Sequence, residues 1–155
     1  MKVETRRISA EETIPIRWRI LRPGFPRETA NFPGDDAEET IHFGAFLNDE
    51  LVGVASLYEA PCPDEPAASK PMQLRGMATL PDVRGAGLGR ILLEACIDAA
   101  LEVGSDWIWC NARRTAVEFY ANYGWQIRGP EFDIPTVGPH FRMTLCLPHA
   151  VREAV

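Results

Sequence analysis

The amino-acid sequence predicts a mixed α/β fold in three layers, one central sheet of about six or seven strands with helices on both faces. Apolar runs of strand length recur along the chain with turn residues between them. A stretch of helical period, 89–103, lies between two such runs, 72–80 and 106–112, which is how a crossover helix between strands reads. At 155 residues the chain fits one domain, 1–155, whose core is large enough to stand without a metal or a disulfide.

Residues 2–8 open the chain as a strand. Ser9-Ala10-Glu11-Glu12 is a capping-box pattern that starts a helix running to about Leu21, with Pro15 as a competing signal that would move the start to Thr13. Two stretches rich in Pro and acidic residues, 22–40 and 60–71, read as loops, the first with room for an additional helix. Ile41–Leu47 and Leu51–Tyr58 are apolar runs joined by Asn48-Asp49-Glu50, an antiparallel hairpin. Met72–Leu80 is a further strand, ended by Pro81-Asp82. In 89–103, Leu93, Cys96, Ile97, Ala100 and Leu101 make one helical face, and Arg90, Glu94, Asp98 and Glu102 make the solvated one. Gly104 caps that helix, and Asp106-Trp107-Ile108-Trp109-Cys110 follows as a strand too apolar for a sheet edge. Ala116, Phe119, Tyr120 and Tyr123 form one face of a short helix closed by Gly124. Trp125–Arg128 and Phe141–Leu147 finish the chain as a hairpin with a long connection. The last strand, read as an edge, is free to pair across a two-fold axis in a homodimer.

Composition narrows the function classes. A hydrophobic fraction of 46% and a charged fraction of 25% are those of a globular protein, and no apolar run approaches the roughly 20 residues that cross a bilayer. The charged N-terminus does not read as a secretory signal, so no membrane partner and a cytoplasmic location are expected. Four cysteines without a C-x-x-C pair argue against disulfides and against a metal site; Cys96, Cys110 and Cys146 read as small core residues, and Cys62 as a loop thiol. A net charge of -6 lacks the basic footprint of a nucleic-acid binder and suits a cationic small molecule better. The acidic run Asp35, Asp36, Glu38, Glu39 reads first as a solvated loop and second as an attractor for such a cation. The tryptophans, Trp18 included, read mostly as core, and His42, alternating within a strand, as a structural residue.

The most informative segment is Val83-Arg84-Gly85-Ala86-Gly87-Leu88-Gly89-Arg90, set between a strand and the start of a long helix. Free backbone N–H groups converge at a helix start, and glycines let a bulky anion approach them, which describes a pyrophosphate cradle. It is not a P-loop, because no Gly-Lys-Ser/Thr follows, and not the dinucleotide fingerprint, because Arg90 stands where a third glycine would. An ordinary tight turn is the alternative reading of the glycines alone.

The run from Leu74 through Arg84, Gly87 and Gly89 to Leu93 resembles the acetyl-CoA motif of the GNAT superfamily of N-acetyltransferases. Ala116–Trp125, with its helix, tyrosine and Gly-aromatic ending, is similar to that family's second motif. Two motifs in order are more specific than either alone, and the resemblance covers residues 41–128 well. It implies a GNAT-like sheet splayed between the fourth and fifth strands, with acetyl-CoA as cosubstrate in the gap and the whole chain a single N-acetyltransferase domain. The pyrophosphate would take backbone donors from Arg84, Gly85, Ala86, Gly87, Leu88, Gly89 and Arg90, and the pantetheine arm would pair with the main chain of Met77, Ala78 and Thr79.

The chemistry so implied is direct attack of a neutral primary amine on the thioester, the oxyanion held by a backbone N–H near Met77–Ala78, with no metal. Tyr120 stands at the family's tyrosine position and would protonate the leaving thiolate as general acid; packing is its alternative role. Many members carry a Glu on the strand corresponding to 72–80, and this chain does not. Base candidates are therefore Glu131 and His140, with Glu59 and Asp133 behind them. The family's pantetheine-contacting Asn position is Arg113 here; Asn111, two residues earlier, is a candidate to replace that contact to CoA, and Arg113 a candidate to reach a CoA phosphate or an acceptor carboxylate. Acceptor specificity would come from Trp18–Asp36 and Glu131–His140. The expected acceptor is a small amine; a protein or peptide amine, and a non-catalytic acyl-CoA-binding module, are the competing readings.

Overall fold

The computed structural model describes residues 2–83 and 85–148. Its strands are β1 (Val3–Ile8), β2 (Ile41–Leu47), β3 (Glu50–Glu59), β4 (Met72–Thr79), β5 (Trp107–Arg113), β6 (Gln126–Ile134) and β7 (Gly138–Cys146). Its helices are α1 (Ala10–Leu21), α2 (Leu88–Glu102) and α3 (Val117–Ala121). The sheet order is β1-β2-β3-β4-β5-β7-β6. The described residues group into two compact units, one within 1–58 and 74–99, the other within 59–73 and 100–155.

In the first unit the hairpin forms as its sequence dictates. Asn48 and Asp49 take φ of 50° and 70°, the left-handed pair whose twist suits a two-strand turn, and β2 and β3 pair from Leu47↔Glu50 to Ile41↔Leu57. α1 begins at Ala10 rather than at Thr13. Ser9 Oγ accepts the Glu12 N–H at 3.2 Å and the Ser9 N–H donates to Glu12 Oε1 at 2.9 Å, so the capping box fixes the start and Pro15 is carried inside the helix. The room for a helix in 22–40 holds one 3-10 turn, Arg27–Ala30.

Side chains alternate across β3, and the alternation assigns the layers. Val54 clusters with Ile16 of α1, and Ser56 and Tyr58 meet Arg17 of α1, so α1 covers one face. On the other face a Cβ at Gly53 would lie 3.2 Å from Leu92 of α2, so the absence of a side chain lets α2 settle there. Leu88, Leu92, Leu93 and Cys96 are buried along α2.

In the second unit β5 is central, as its apolar sequence demands. Met72 and Gln73 at the start of β4 pair parallel with Ile108 and Trp109, and no further β4–β5 register pair exists among the described residues, so the sheet is splayed there. On its other side β5 pairs antiparallel with β7 from Trp107↔Cys146 to Arg113↔His140. Three expectations are corrected here. The connection after Arg128 is not long: β6 runs to Ile134, because a bulge between Arg128 and Phe132 absorbs Gly129-Pro130, and a tight turn leads directly into β7. The last strand is not an edge, since β7 lies between β5 and β6. Cys146 is exposed, at the end of β7, while the loop thiol Cys62 is buried.

Candidate active site

The glycine segment folds as a short 3-10 turn, Pro81–Val83, and a loop that enters α2 at Leu88. Gly85 and Gly87 have φ of 93° and 76°, left-handed values that side-chain-bearing residues rarely adopt, and a Cβ at Gly85 would meet open space. Conformation, not crowding, is what requires glycine there. The turn frees the first N–H groups of α2, while Arg90 pairs with Glu94 along the exposed helix face at 3.0 Å. Arg84 lies outside the described residues. Met77, Ala78 and Thr79 close β4 just before this turn, with Ala78 buried against Ile16 and Val54.

Tyr120 stands on α3 and is buried, 6% exposed. Its ring meets Phe119 edge-on at 5.1 Å and lies 5.1 Å from Trp125, so packing fixes the ring. The sharp return after the helix comes from Gly124, φ 90°, which lets the Trp125 N–H reach the Tyr120 carbonyl at 3.3 Å. On β5, Asn111 Oδ1 is buried and accepts no hydrogen bond from the described residues. An unpaired buried acceptor costs about 1–3 kcal/mol, and an amide N–H from a bound molecule would remove that cost. Asn111 therefore fits the amides of a pantetheine arm. Arg113 ends β5 opposite His140.

The two base candidates differ. Glu131 is exposed on β6 and pairs with Arg114 at 3.4 Å. His140 is buried, stacks on Phe132 at 6.0 Å, and bonds the Gly138 carbonyl through Nδ1 at 2.7 Å. A carbonyl cannot donate, so Nδ1 is the donor in this bond and Nε2 is the ring nitrogen left to exchange a proton. Glu59 and Asp133 are exposed.

A buried polar cluster in the first unit was not anticipated from sequence. Arg17 is fully buried and donates to Asp35 Oδ2 at 2.6 Å and Oδ1 at 3.1 Å, Ser56 Oγ at 2.9 Å, Tyr58 Oη at 3.1 Å and the Ala30 carbonyl at 3.0 Å. Tyr58 Oη and the Phe32 N–H also donate to Asp35. The reading of Asp35 as part of a solvated run is thus overturned: it is 4% exposed, while Asp36, Glu38 and Glu39 remain exposed. Burial opposes ionisation of Asp35, yet the bonds from Arg17, Tyr58 and the Phe32 N–H prevail and hold its carboxyl below the usual value. Burial first, and Asp35 with it, push the Tyr58 hydroxyl up to about 12. His42 joins the same cluster, with Nδ1 2.6 Å from Ser56 Oγ and Nε2 2.9 Å from the Asp35 carbonyl, a structural role as expected.

The cluster reaches β4. Gly76 has φ of 69° in the middle of the strand, and a Cβ there would lie 3.2 Å from both Arg17 Nε and the Phe32 ring. The guanidinium of Arg75 lies 5.0 Å from the Phe32 ring centroid and 5.2 Å from that of Tyr58. The signal that could have exposed Arg17 is its place in the stripe Thr13-Ile14-Arg17, all buried in α1. Trp18, read as core, is 40% exposed and donates its Nε1–H to the Phe25 carbonyl at 2.7 Å. The loop 31–37 borders an open concavity of about 500 Å³.

Residues 10–125 match the model of the acetyltransferase (GNAT) family. A Bacillus subtilis protein named as the uncharacterized N-acetyltransferase YitI is 38% identical over 141 residues, covering 91% of this chain and 94% of that protein. A crystal structure of a putative N-acetyltransferase from Lactobacillus plantarum superposes with a TM-score of 0.74 at 20% identity, over 95% of this chain and 99% of the other. The Escherichia coli ribosomal-protein-S18-alanine N-acetyltransferase gives 0.73 at 20% identity, over 94% of each chain.

Proposed function

The chain belongs to the GNAT acetyltransferase family, and from that premise we propose that it transfers the acetyl group of acetyl-CoA to the primary amine of a small acceptor. The observation that carries the cosubstrate reading is the left-handed Gly85–Gly87 turn opening onto the N-terminus of the long helix α2. Acetyl-CoA supplies an acyl group already activated as a thioester. Main-chain N–H groups of residues 84–90 hold the pyrophosphate, and the main chain of Met77–Thr79 together with the orphan oxygen of Asn111 holds the pantetheine arm. A main-chain N–H at Met77–Ala78 holds the carbonyl oxygen as negative charge develops on it. Tyr120 donates its phenolic proton to the departing thiolate, and its packed ring fixes where that proton is offered. Of the two bases, His140 is favoured, because Glu131 is engaged with Arg114 while the bond from His140 Nδ1 to the Gly138 carbonyl holds the ring and leaves Nε2 as the nitrogen that exchanges a proton. The whole chain, 1–155, then acts as one N-acetyltransferase domain.

The test is release of CoA thiol from acetyl-CoA in the presence of small amines and of peptides. Turnover of small amines that falls roughly 10²–10⁴-fold in Tyr120→Phe, with the fold intact, supports the reading. Turnover of peptides alone would assign the acceptor to proteins. Acetyl-CoA binding with no turnover of either would leave an acyl-CoA-binding module.

A further inference from the structure

The chain carries a net charge of -6, yet three guanidiniums crowd one ring in the first unit. Arg17, Arg22 and Arg75 lie 4.1, 5.1 and 5.0 Å from the Phe32 centroid. Arg17 is neutralised by Asp35 through two hydrogen bonds. Asp35 has nothing left to offer a second cation, since Tyr58 and the Phe32 N–H take its remaining acceptor positions. Arg75 is half-buried on β4, and no ion pair or hydrogen bond links it to a carboxylate among the described residues. What fixes it is the two aromatic rings, Phe32 and Tyr58. Contact with ring faces restrains a guanidinium and leaves N–H edges able to bind a carboxylate with two parallel bonds.

Phe32 owes its own position to the Asp35 carboxylate, which accepts its N–H at 2.8 Å. The buried pair thus fixes the ring, and the ring fixes Arg75. Gly76, forced into a left-handed conformation against Arg17 and Phe32, then carries the chain from Arg75 to Met77, the segment assigned above to the reacting carbonyl. Arg75 is thus a restrained, half-buried cation two residues from that segment, with no carboxylate partner among the described residues and N–H edges open to a ligand.

Resting on the acetyltransferase reading, we propose that the acceptor is a small amine that also carries a carboxylate, and that Arg75 binds that carboxylate and so sets acceptor specificity. One guanidinium suits one negative charge, which favours a carboxylate over a doubly charged phosphate. Asp36, Glu38 and Glu39, exposed to solvent, are screened and oppose such an anion only weakly.

Matched pairs of common L-amino acids and their carboxamides, assayed for thiol release at fixed acetyl-CoA, test this. The amides have the less basic amines and would react faster were amine chemistry alone deciding. The expected result is a kcat/KM for the acids higher by roughly 10- to 100-fold, the scale of a charge-assisted bidentate contact. In Arg75→Gln the acids fall to the level of the amides, and Arg75→Lys restores part of the preference. Each variant's unfolding with and without acetyl-CoA is read in parallel. Amides equal to or better than acids would overturn the proposal. So would an equal loss on both series, or a loss of acetyl-CoA stabilisation in Arg75→Gln. No turnover of any acid, with acetyl-CoA still stabilising the protein, overturns the acceptor class and leaves the cosubstrate reading standing; no stabilisation of the wild type would sink that reading itself.

Discussion

Asp35 accepts from the Arg17 guanidinium through both oxygens, from Tyr58 and from the Phe32 N–H, and few residues in the first unit have more to lose. A buried pair of this kind is weak evidence of net stability, because desolvating two charges offsets much of their attraction, but removing one partner strands the other. Asp35→Ala should therefore destabilise by about 3–5 kcal/mol in denaturant unfolding, whereas an exposed change such as Glu39→Ala should stay within about 0.5 kcal/mol. The pH dependence has a definite sign. The folded carboxyl is held below its ordinary value, so its contribution is complete above the unfolded aspartate value of about 3.9 and is lost as pH falls below it toward the folded value. Unfolding measured between about pH 7 and pH 3 should show the wild type losing part of its advantage over Asp35→Ala at the acid end. A gap independent of pH would contradict that assignment. Neither Asp35 nor Arg17 was legible as a pair from sequence, because a carboxylate in an acidic loop and an arginine 18 residues earlier carry no local signature of their meeting.

At the scale of elements, Gly76 links the polar cluster to β4. Gly76→Ala faces a left-handed φ of 69° and contacts at 3.2 Å with both Arg17 and Phe32, so it should lower stability by about 1–3 kcal/mol and reduce turnover through Met77–Ala78. Ser9→Ala removes one half of the capping box and should cost about 1 kcal/mol with no effect on turnover, since it disturbs only the start of α1. Local signals such as that box, the Asn48-Asp49 turn and the apolar period of α2 were readable because neighbours in sequence produce them. The β6–β7 hairpin was not: Gly129-Pro130 reads as a break, and only the cross-strand bulge reveals that the pairing continues past it. His140 moved with that hairpin, from a loop to a buried strand position opposite Arg113.

For the whole molecule, the succession of strands and helices along the chain, the crossover helix and the two motifs were legible because each rests on periodicity or on glycine spacing, whereas the place of β7 inside the sheet was not. The proposed acceptor end was not, since it rests on Arg75 of β4 meeting the loop that holds Phe32 and Asp35, far from it in sequence. The central claim is that this GNAT-family chain uses acetyl-CoA through the turn before α2. Thermal unfolding with and without acetyl-CoA tests it most directly. At a ligand concentration 100 times the dissociation constant, the protein should gain about 2.7 kcal/mol, a rise of a few degrees, and Gly87→Val should abolish the rise while leaving the ligand-free protein folded. An unchanged midpoint for the folded wild type, free of co-purified CoA, would contradict the account.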